Sequence, residues 1–308
     1  MTPVYNGADT LDACVDSVLS QTYANWEMCI YDNGSTDLTP EVARRAAERD
    51  RRIRVIRQEE TLDPITNWNR ALTHMDPRSA YCKVVHADDE IFPECLRLMV
   101  DVGERYPDVS VVSSYRLDGD AVNPSGVAKG VEVLSGREVV RMVLLGGPDL
   151  LGAPTSVLLR SDDIRARPTF YPLSHFPAED KEACIPLLED RDCGFVHQLL
   201  TYNRRPAESQ SAFADRMRTW LPGQLSLLCD YGPPFLARSE LLRHADRLTW
   251  GYTKLLGKRV AQLRPWRDEE FAAYHGRALD LLVPKLRAIG ARRAARVLAG
   301  WARALPAG

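Results

Sequence analysis

Short apolar runs alternate with amphipathic stretches over the first half of the chain, and this alternation is the strongest structural signal it carries. Residues 26–31, 53–56, 81–85 and 109–114 are brief, rich in β-branched and aromatic side chains, and read as strands. Between them, Leu11, Val15, Val18 and Leu19 recur at helical spacing, with Asp9 positioned as a cap. Val42, Ala43, Ala46 and Ala47 mark a second helix over roughly 40–49, residues 67–72 belong to a third, and a fourth runs from about 93 to 105. Strands alternating with helices predict a mostly parallel sheet with right-handed crossovers. Residues 116–150 are less regular, with loop signals at Gly119, Asn123–Gly126 and Gly146–Pro148 and one helical period over 135–145. Residues 152–160 read as a loop feeding a buried strand, and 195–202 as another strand. From about 213 the period is helical throughout, over 213–230, 233–256, about 267–283 and about 285–305. The expectation is an α/β sheet flanked by helices, followed by a helical C-terminal extension.

Composition narrows the classes. The 308 residues are 45% apolar and 27% charged, which is ordinary for a soluble globular protein. The net charge of −2 offers no basic field for nucleic acid. Seven cysteines are scattered without a Cys-x-x-Cys pair, which fits buried reduced thiols in a cytoplasmic setting and argues against a zinc site. No apolar run is long enough to span a bilayer. The last helical stretch is basic: Lys285, Arg292, Arg296 and Arg303 share one face, and Leu286, Ile289, Val297, Leu298, Trp301 and Leu305 another. Such a helix either lies on an anionic membrane surface, a peripheral contact with the inner face of the membrane, or packs its apolar stripe on its own domain.

Chemistry collects where the strands end. The run over 81–85 leads directly into Asp88–Asp89, and that over 26–31 into Asp32-Asn33-Gly34-Ser35-Thr36-Asp37. Adjacent carboxylates repel unless a cation or proton lies between them. Oxygen ligands suit Mg²⁺ or Mn²⁺, which take substrate phosphates as further ligands, and ligands of open α/β sheets bind at the carboxyl ends of strands. A metal–diphosphate site and a solvated acidic turn ahead of the next helix both fit this stretch.

Five pieces together, Pro3–Asn6, Ser17–Tyr23, Asp32–Asp37, Asn67–Arg70 and Ala87–Asp89, resemble family 2 glycosyltransferases of the GT-A fold in order and spacing. The resemblance is clear over residues 1–115 and looser over 116–212, which it implies are the nucleotide-sugar half and the acceptor half of one domain, with 213–308 outside it. It implies that Pro3, Tyr5 and Asn6 face the nucleotide, that Asp32 bonds base or ribose while also capping its own turn, and that Asn69 and Arg70 lie near the diphosphate or sugar. Asp88 and Asp89 become the carboxylates of the metal motif. Thr155 falls in the segment placed beside the acceptor. Glu179–Asp180 resembles the family's Glu-Asp motif, which makes Asp180 the base that deprotonates the acceptor hydroxyl and Glu179 an acceptor-side carboxylate; helix-start charge is the alternative for both. Arg204 or Arg205 would neutralise the leaving diphosphate.

The implied reaction is inverting transfer from a nucleotide-diphospho-sugar to a glycan, lipid-linked or small-molecule acceptor, in bacterial surface-glycan or polysaccharide synthesis. Two departures stand out. His86 replaces an Asp common in the family, and His is neutral near pH 7 and a softer ligand. The chain also begins one residue before the Pro-x-Tyr-Asn turn, which predicts further residues upstream forming a first strand. The rival functions are a nucleotidyltransferase of similar fold, which the lack of a Gly-rich basic loop near residue 7 disfavours, and a non-catalytic binding or scaffold protein.

Overall fold

In the computed structural model, residues 1–173, 176, 178–205, 210–263 and 269–302 are described. They belong to two units, one formed by Met1–Leu173 with Glu179–Arg205 and the other by Ser174–Ala178 with Pro206–Gly308.

The first unit opens with β1 (Thr2–Val4), α1 (Leu11–Leu19), β2 (Met28–Asp32), α2 (Thr39–Arg49) and β3 (Ile53–Arg57). The strands pair in parallel in the order β1–β2–β3, as βαβ crossovers require. The helix spacing buries Leu11, Cys14, Val15 and Val18 of α1 and Val42, Ala43 and Ala46 of α2 in one core cluster with Ile30 and Ile53. The expected Asp9 cap is not made: α1 starts after Thr10, and no side chain caps it. Next come α3 (Pro64–Leu72), β4 (Tyr81–Cys82), β5 (Glu90–Ile91), α4 (Cys95–Arg105), β6 (Val109–Asp118), β7 (Ala121–Asn123), β8 (Val133–Leu134) and α5 (Gly136–Leu144). The unit closes with β9 (Val157–Arg160), α6 (Ser161–Arg165), α7 (Glu179–Cys184) and β10 (Asp192–Asn203). The second sheet has the order β4–β9–β6–β10–β5, with β7 on β6 and β8 on β10.

This second sheet is mixed, whereas alternation alone suggested parallel pairing. β6 and β10 are parallel, but β9 runs antiparallel to both β4 and β6, and β5 antiparallel to β10. The β6–β7 link is a two-residue hairpin with Gly119 at φ +58°, a connection only antiparallel strands can use. Because β4 and β6 both oppose β9, they run the same way. Met1 joins the two sheets: its ammonium donates to Lys83 O (2.8 Å) and Val85 N donates to Met1 O (3.0 Å), the spacing of a parallel ladder. β1, β2, β3, β4, β6 and β10 therefore share one direction. Asp32, the 86–89 turn, Asp118 and Asn203 follow from that as neighbours along one carboxyl edge. All seven cysteines are unpaired, and six are buried.

The second unit is helical: α8 (Gln210–Met217), α9 (Trp220–Phe235), α10 (Arg238–Leu263), α11 (Glu269–Ile289) and α12 (Ala291–Ala302). Its breaks differ from those the period suggested. The first falls at Arg218, which turns left-handed at φ +57°, while α9 continues through Pro233–Pro234 and α11 through Pro284. Of the two readings of the last stretch, packing on its own unit accounts for much of the apolar face, although Leu298 is 37% exposed. Ala294 and Val297 of α12 are buried where it packs on α10 and α11, and Leu286 of α11 is fully buried. Arg293 pairs with Asp246 at 2.8 Å, Arg296 lies 3.8 Å from the same carboxylate, and Lys285 pairs with Asp230. Arg303 and Leu305 lie outside the described residues. Among the described residues no helix is long and apolar enough to cross a membrane.

Candidate active site

Asp88 and Asp89 occupy the turn between the 83–85 segment and β5, and the turn gives them different work. Asp89 is 5% exposed and accepts from Thr155 Oγ1 (2.6 Å) and Asn203 Nδ2 (3.0 Å) on one oxygen and from Arg204 N (3.1 Å) on the other. Thr155 is itself buried and accepts from His86 N (3.1 Å), so one hydroxyl ties the loop before β9 to both ends of the turn. Burial, and next the charge of Asp88, push the Asp89 carboxyl up to about 7, while the Thr155 and Arg204 hydrogen bonds pull it down. Asp89 is thus a brace between the turn and β10. Arg204 adds a clamp, donating from Nε to Asp88 O (3.1 Å) and from NH2 to Glu90 Oε1 (2.9 Å). Arg205 is exposed, 3.9 Å from Asp118.

Asp88 is only half-buried. Among the described residues no cluster of three or more His, Cys, Asp or Glu forms a cage for a metal. One open carboxylate beside a braced one still fits a cation that takes most of its ligands from water and a diphosphate. His86 is the third member of the motif. Its Nε2 is enclosed without a hydrogen-bond partner, and its ring meets Trp68 edge-on at 4.8 Å. Burial holds its pKa below the usual imidazole value, against an opposite pull from Asp88 and then Asp180. Both carboxylates thus act on one imidazole.

Asp180 lies in the first turn of α7. Its two oxygens accept from Ala153 N (2.8 Å) and from Lys181 N (2.8 Å), which fixes the carboxylate without consuming all its lone pairs. Ala153 has φ +64° with a side chain, an arrangement that costs about 1–3 kcal/mol and gathers at functional sites. Lys181 Nζ pairs with Asp149 Oδ2 at 2.9 Å, and Asp149 Oδ1 accepts from Leu151 N (3.3 Å) and Gly152 N (3.0 Å). Burial would raise the Asp149 carboxyl, but Lys181 and then Arg116 hold it below its ordinary value. Asp149 and Lys181 thereby clamp the loop that holds Asp180. Nothing in the sequence pairs these two residues, and reading it alone missed them. His175 and Pro177 of the same acidic stretch lie outside the described residues.

The loops after β1 and β2 are knitted together. Asn6, left-handed at φ +50°, donates from N to Ser35 Oγ (2.9 Å) and accepts at Oδ1 from Thr36 N (2.9 Å). Gly7 N donates to Thr39 Oγ1 (2.8 Å). Tyr5 is half-exposed above them. Asp32 is fully buried and accepts from Ser35 N (3.0 Å), as a turn cap would; its other oxygen is 3.6 Å from Arg57 Nε, too far for a hydrogen bond. Asn69 differs from expectation. It donates to Ile65 O and Tyr171 O and accepts from Phe170 N and Tyr171 N, so its amide is fully committed to backbone. It sets Tyr171 against Trp68 at 5.4 Å, extending the aromatic wall from His86. Trp68 stood inside the Asn67–Arg70 motif, so its signal was available. Arg70 is exposed on the same helix. A cavity of about 540 Å³ lined by Met1, Trp26, Met28, Tyr81 and Lys83 opens at the amino ends of the strands, the edge that in α/β sheets does not hold the ligand.

Comparison with known proteins agrees with this geometry. The sequence profile described as glycosyl transferase family 2 matches residues 1–165. TuaG of Bacillus subtilis, a putative teichuronic acid biosynthesis glycosyltransferase, is 36% identical over 90 residues, 29% of this chain and 35% of TuaG. The chain spans less than half the length of the curated relatives it matches. The crystal structure of Staphylococcus aureus TarS 1–349 in complex with UDP-GlcNAc superposes with a TM-score of 0.64 at 15% identity, over 97% of this chain and 88% of that one. The mannosyltransferase PcManGT of Pyrobaculum calidifontis, in complex with GDP-Man and Mn²⁺, gives 0.57 at 17% identity, over 98% and 85%. These two likenesses establish the GT-A fold. With the profile covering more than half of the chain, and the acidic turn, the loops after β1 and β2 and the Glu179–Asp180 helix start arranged on that fold, the chain belongs to glycosyl transferase family 2.

Proposed function

We propose that the chain is an inverting glycosyltransferase that moves a sugar from a nucleotide-diphospho-sugar to an acceptor hydroxyl in surface-glycan synthesis. The observation that carries this reading is a pair of carboxylates fixed by the fold, Asp88 half-buried on the turn that Asp89 braces against Thr155 and Asn203, and Asp180 held at the start of α7 by the Ala153 and Lys181 amides. Asp180, oriented by the Ala153 and Lys181 amides, takes the proton from the acceptor oxygen as that oxygen attacks the anomeric carbon. The Tyr5–Asn6 and Asp32–Ser35 loops supply a rigid frame for base and ribose. Asp88 would hold a Mg²⁺ or Mn²⁺ against the diphosphate, with Asp89 fixing the turn beneath it. That ion would supply charge stabilisation for the departing nucleoside diphosphate. The Mn²⁺ of the PcManGT complex supports the metal, and the teichuronic acid synthesis ascribed to TuaG supports the surface-glycan setting. The decisive assay incubates the protein with UDP-, GDP- and dTDP-sugars, a panel of cell-wall glycan acceptors and Mn²⁺, and reads nucleoside diphosphate release and product anomeric configuration. Inverted product supports the reading. Pyrophosphate release, or retained configuration, contradicts it.

A further inference from the structure

The helical unit carries two of the largest exposed side chains of the protein, and they share one face. Trp220 is 57% exposed at the start of α9 and Trp250 is 52% exposed within α10. The two helices are antiparallel: Leu221 meets Gly251 at one end of the pair, and Leu241 meets Gly232 at the other. In an antiparallel pair, the residue before each contact position turns about 100° to the same side. Trp220 and Trp250 therefore emerge together, flanking the Leu221–Gly251 contact. A large apolar ring left in water on a helix start and another on the neighbouring helix are not explained by packing, since both helices already bury other faces.

The stripe that carries Trp250 is mostly basic, with Glu240 at its start and Asp246, one turn before Trp250, engaged by Arg293. Arg243, Arg247, Trp250 and Lys254 follow one another at spacings of four, three and four along α10, which stacks them on one stripe, and all four are exposed. Lys254 Nζ lies over the Trp250 ring at 5.0 Å. Arg218, two residues before Trp220 at the left-handed break ahead of α9, is exposed as well. The acids of this unit that form ion pairs do so elsewhere: Asp246 with Arg293 and Arg296, Asp230 with Lys285, and Glu270 with Arg216. Among the described residues no carboxylate forms an ion pair with Arg218, Arg243, Arg247 or Lys254. In a chain of net charge −2, this is a local basic field tipped by two indoles.

We infer that the Trp220–Trp250 face docks on an anionic phospholipid surface, with the indoles at headgroup depth and the four cations against the lipid phosphates. Indoles prefer that depth because one edge is apolar and the N–H remains wet. Basic side chains beside them gain from the negative surface potential. This face is distinct from the stripe of the last helix, whose Leu286 and Val297 are buried within the unit.

The test is sedimentation of the protein with vesicles of phosphatidylcholine, with and without phosphatidylglycerol, in low and high salt. Expected is binding that requires phosphatidylglycerol and falls with salt. Combining Arg243→Gln, Arg247→Gln and Lys254→Gln should weaken it about a hundredfold, from three lost charges. Trp220→Ala with Trp250→Ala should weaken it and abolish the quenching of tryptophan fluorescence by brominated lipid. All five side chains are exposed, so the melting temperature should not move, and that is checked on the same samples. Failure of the wild type to bind phosphatidylglycerol vesicles overturns the inference, as does binding that both variants retain. Equal affinity for soluble polyphosphate without bromolipid quenching also overturns it, and assigns the face to a polyanion instead.

Discussion

Asp89 binds its proton more tightly in the folded protein than in the unfolded chain, its carboxyl rising from 3.8 to about 7 on folding. Between those values the native state holds the extra proton, so stability falls as pH rises from about 4 to about 7 and then levels off. A shift of that size corresponds to on the order of 4 kcal/mol. Urea denaturation at several pH values in EDTA should show this decline, and Asp89→Asn, neutral at every pH, should flatten it. Equal slopes in the two proteins would show that Asp89 is not the group responsible. Asp180→Asn keeps an acceptor oxygen and removes the base, so turnover should drop about a hundredfold or more with little change in nucleotide affinity. At this scale the sequence was legible in the placement of the acidic turn at the end of the 81–85 run and of Glu179–Asp180 at a helix start. It was silent on Asn203 and Asp149, because their roles are set by which backbone lies opposite them. It misdirected on Asn69, whose amide is engaged by the 170–171 backbone.

At the scale of elements, the site depends on how the loop before β9 and the start of α5 are held. Asp149→Ala removes the partner of Lys181 and the acceptor of two backbone amides at once. Both partners are partly solvated, so the expected loss is about 2–3 kcal/mol, together with lower turnover at unchanged nucleotide affinity. Denaturation and single-turnover kinetics check the two parts separately. Gly136 opens α5 against residues 188–191, and a Cβ there would stand 2.0 Å from Arg191 O and 2.5 Å from Leu188 O. Backbone cannot swing aside as a side chain can, so Gly136→Ala should cost several kcal/mol, on the order of 3, despite the better helix propensity of Ala. A melting temperature at or above wild type would refute the packing described. Strand and helix positions in the first half were readable because period and turn chemistry agree there. The antiparallel β9 and the short β7 and β8 were not, since pairing partners distant in sequence decide them. In the helical unit the period was correct but the ends were not, because Pro284 and Pro233–Pro234 stay within helices.

For the molecule as a whole, the shared direction of six strands places Asp32, the 86–89 turn, Asp118 and Asn203 on one edge, so that residues far apart in sequence can meet one ligand. That gathering was legible from the alternation of strands and helices, and the family from five short motifs taken together. Base, sugar and acceptor were not, because they depend on loop shapes that motifs do not encode. The most direct test of the donor site is isothermal titration of the protein with UDP, GDP, dTDP and CDP, with and without Mn²⁺, in the wild type and in Asp88→Asn. Expected is binding of one nucleotide that requires Mn²⁺ and is lost in Asp88→Asn, with Asp180→Asn binding as the wild type does. Absence of binding by all four nucleotides, or binding indifferent to both Mn²⁺ and Asp88, would contradict a metal–diphosphate site at this turn.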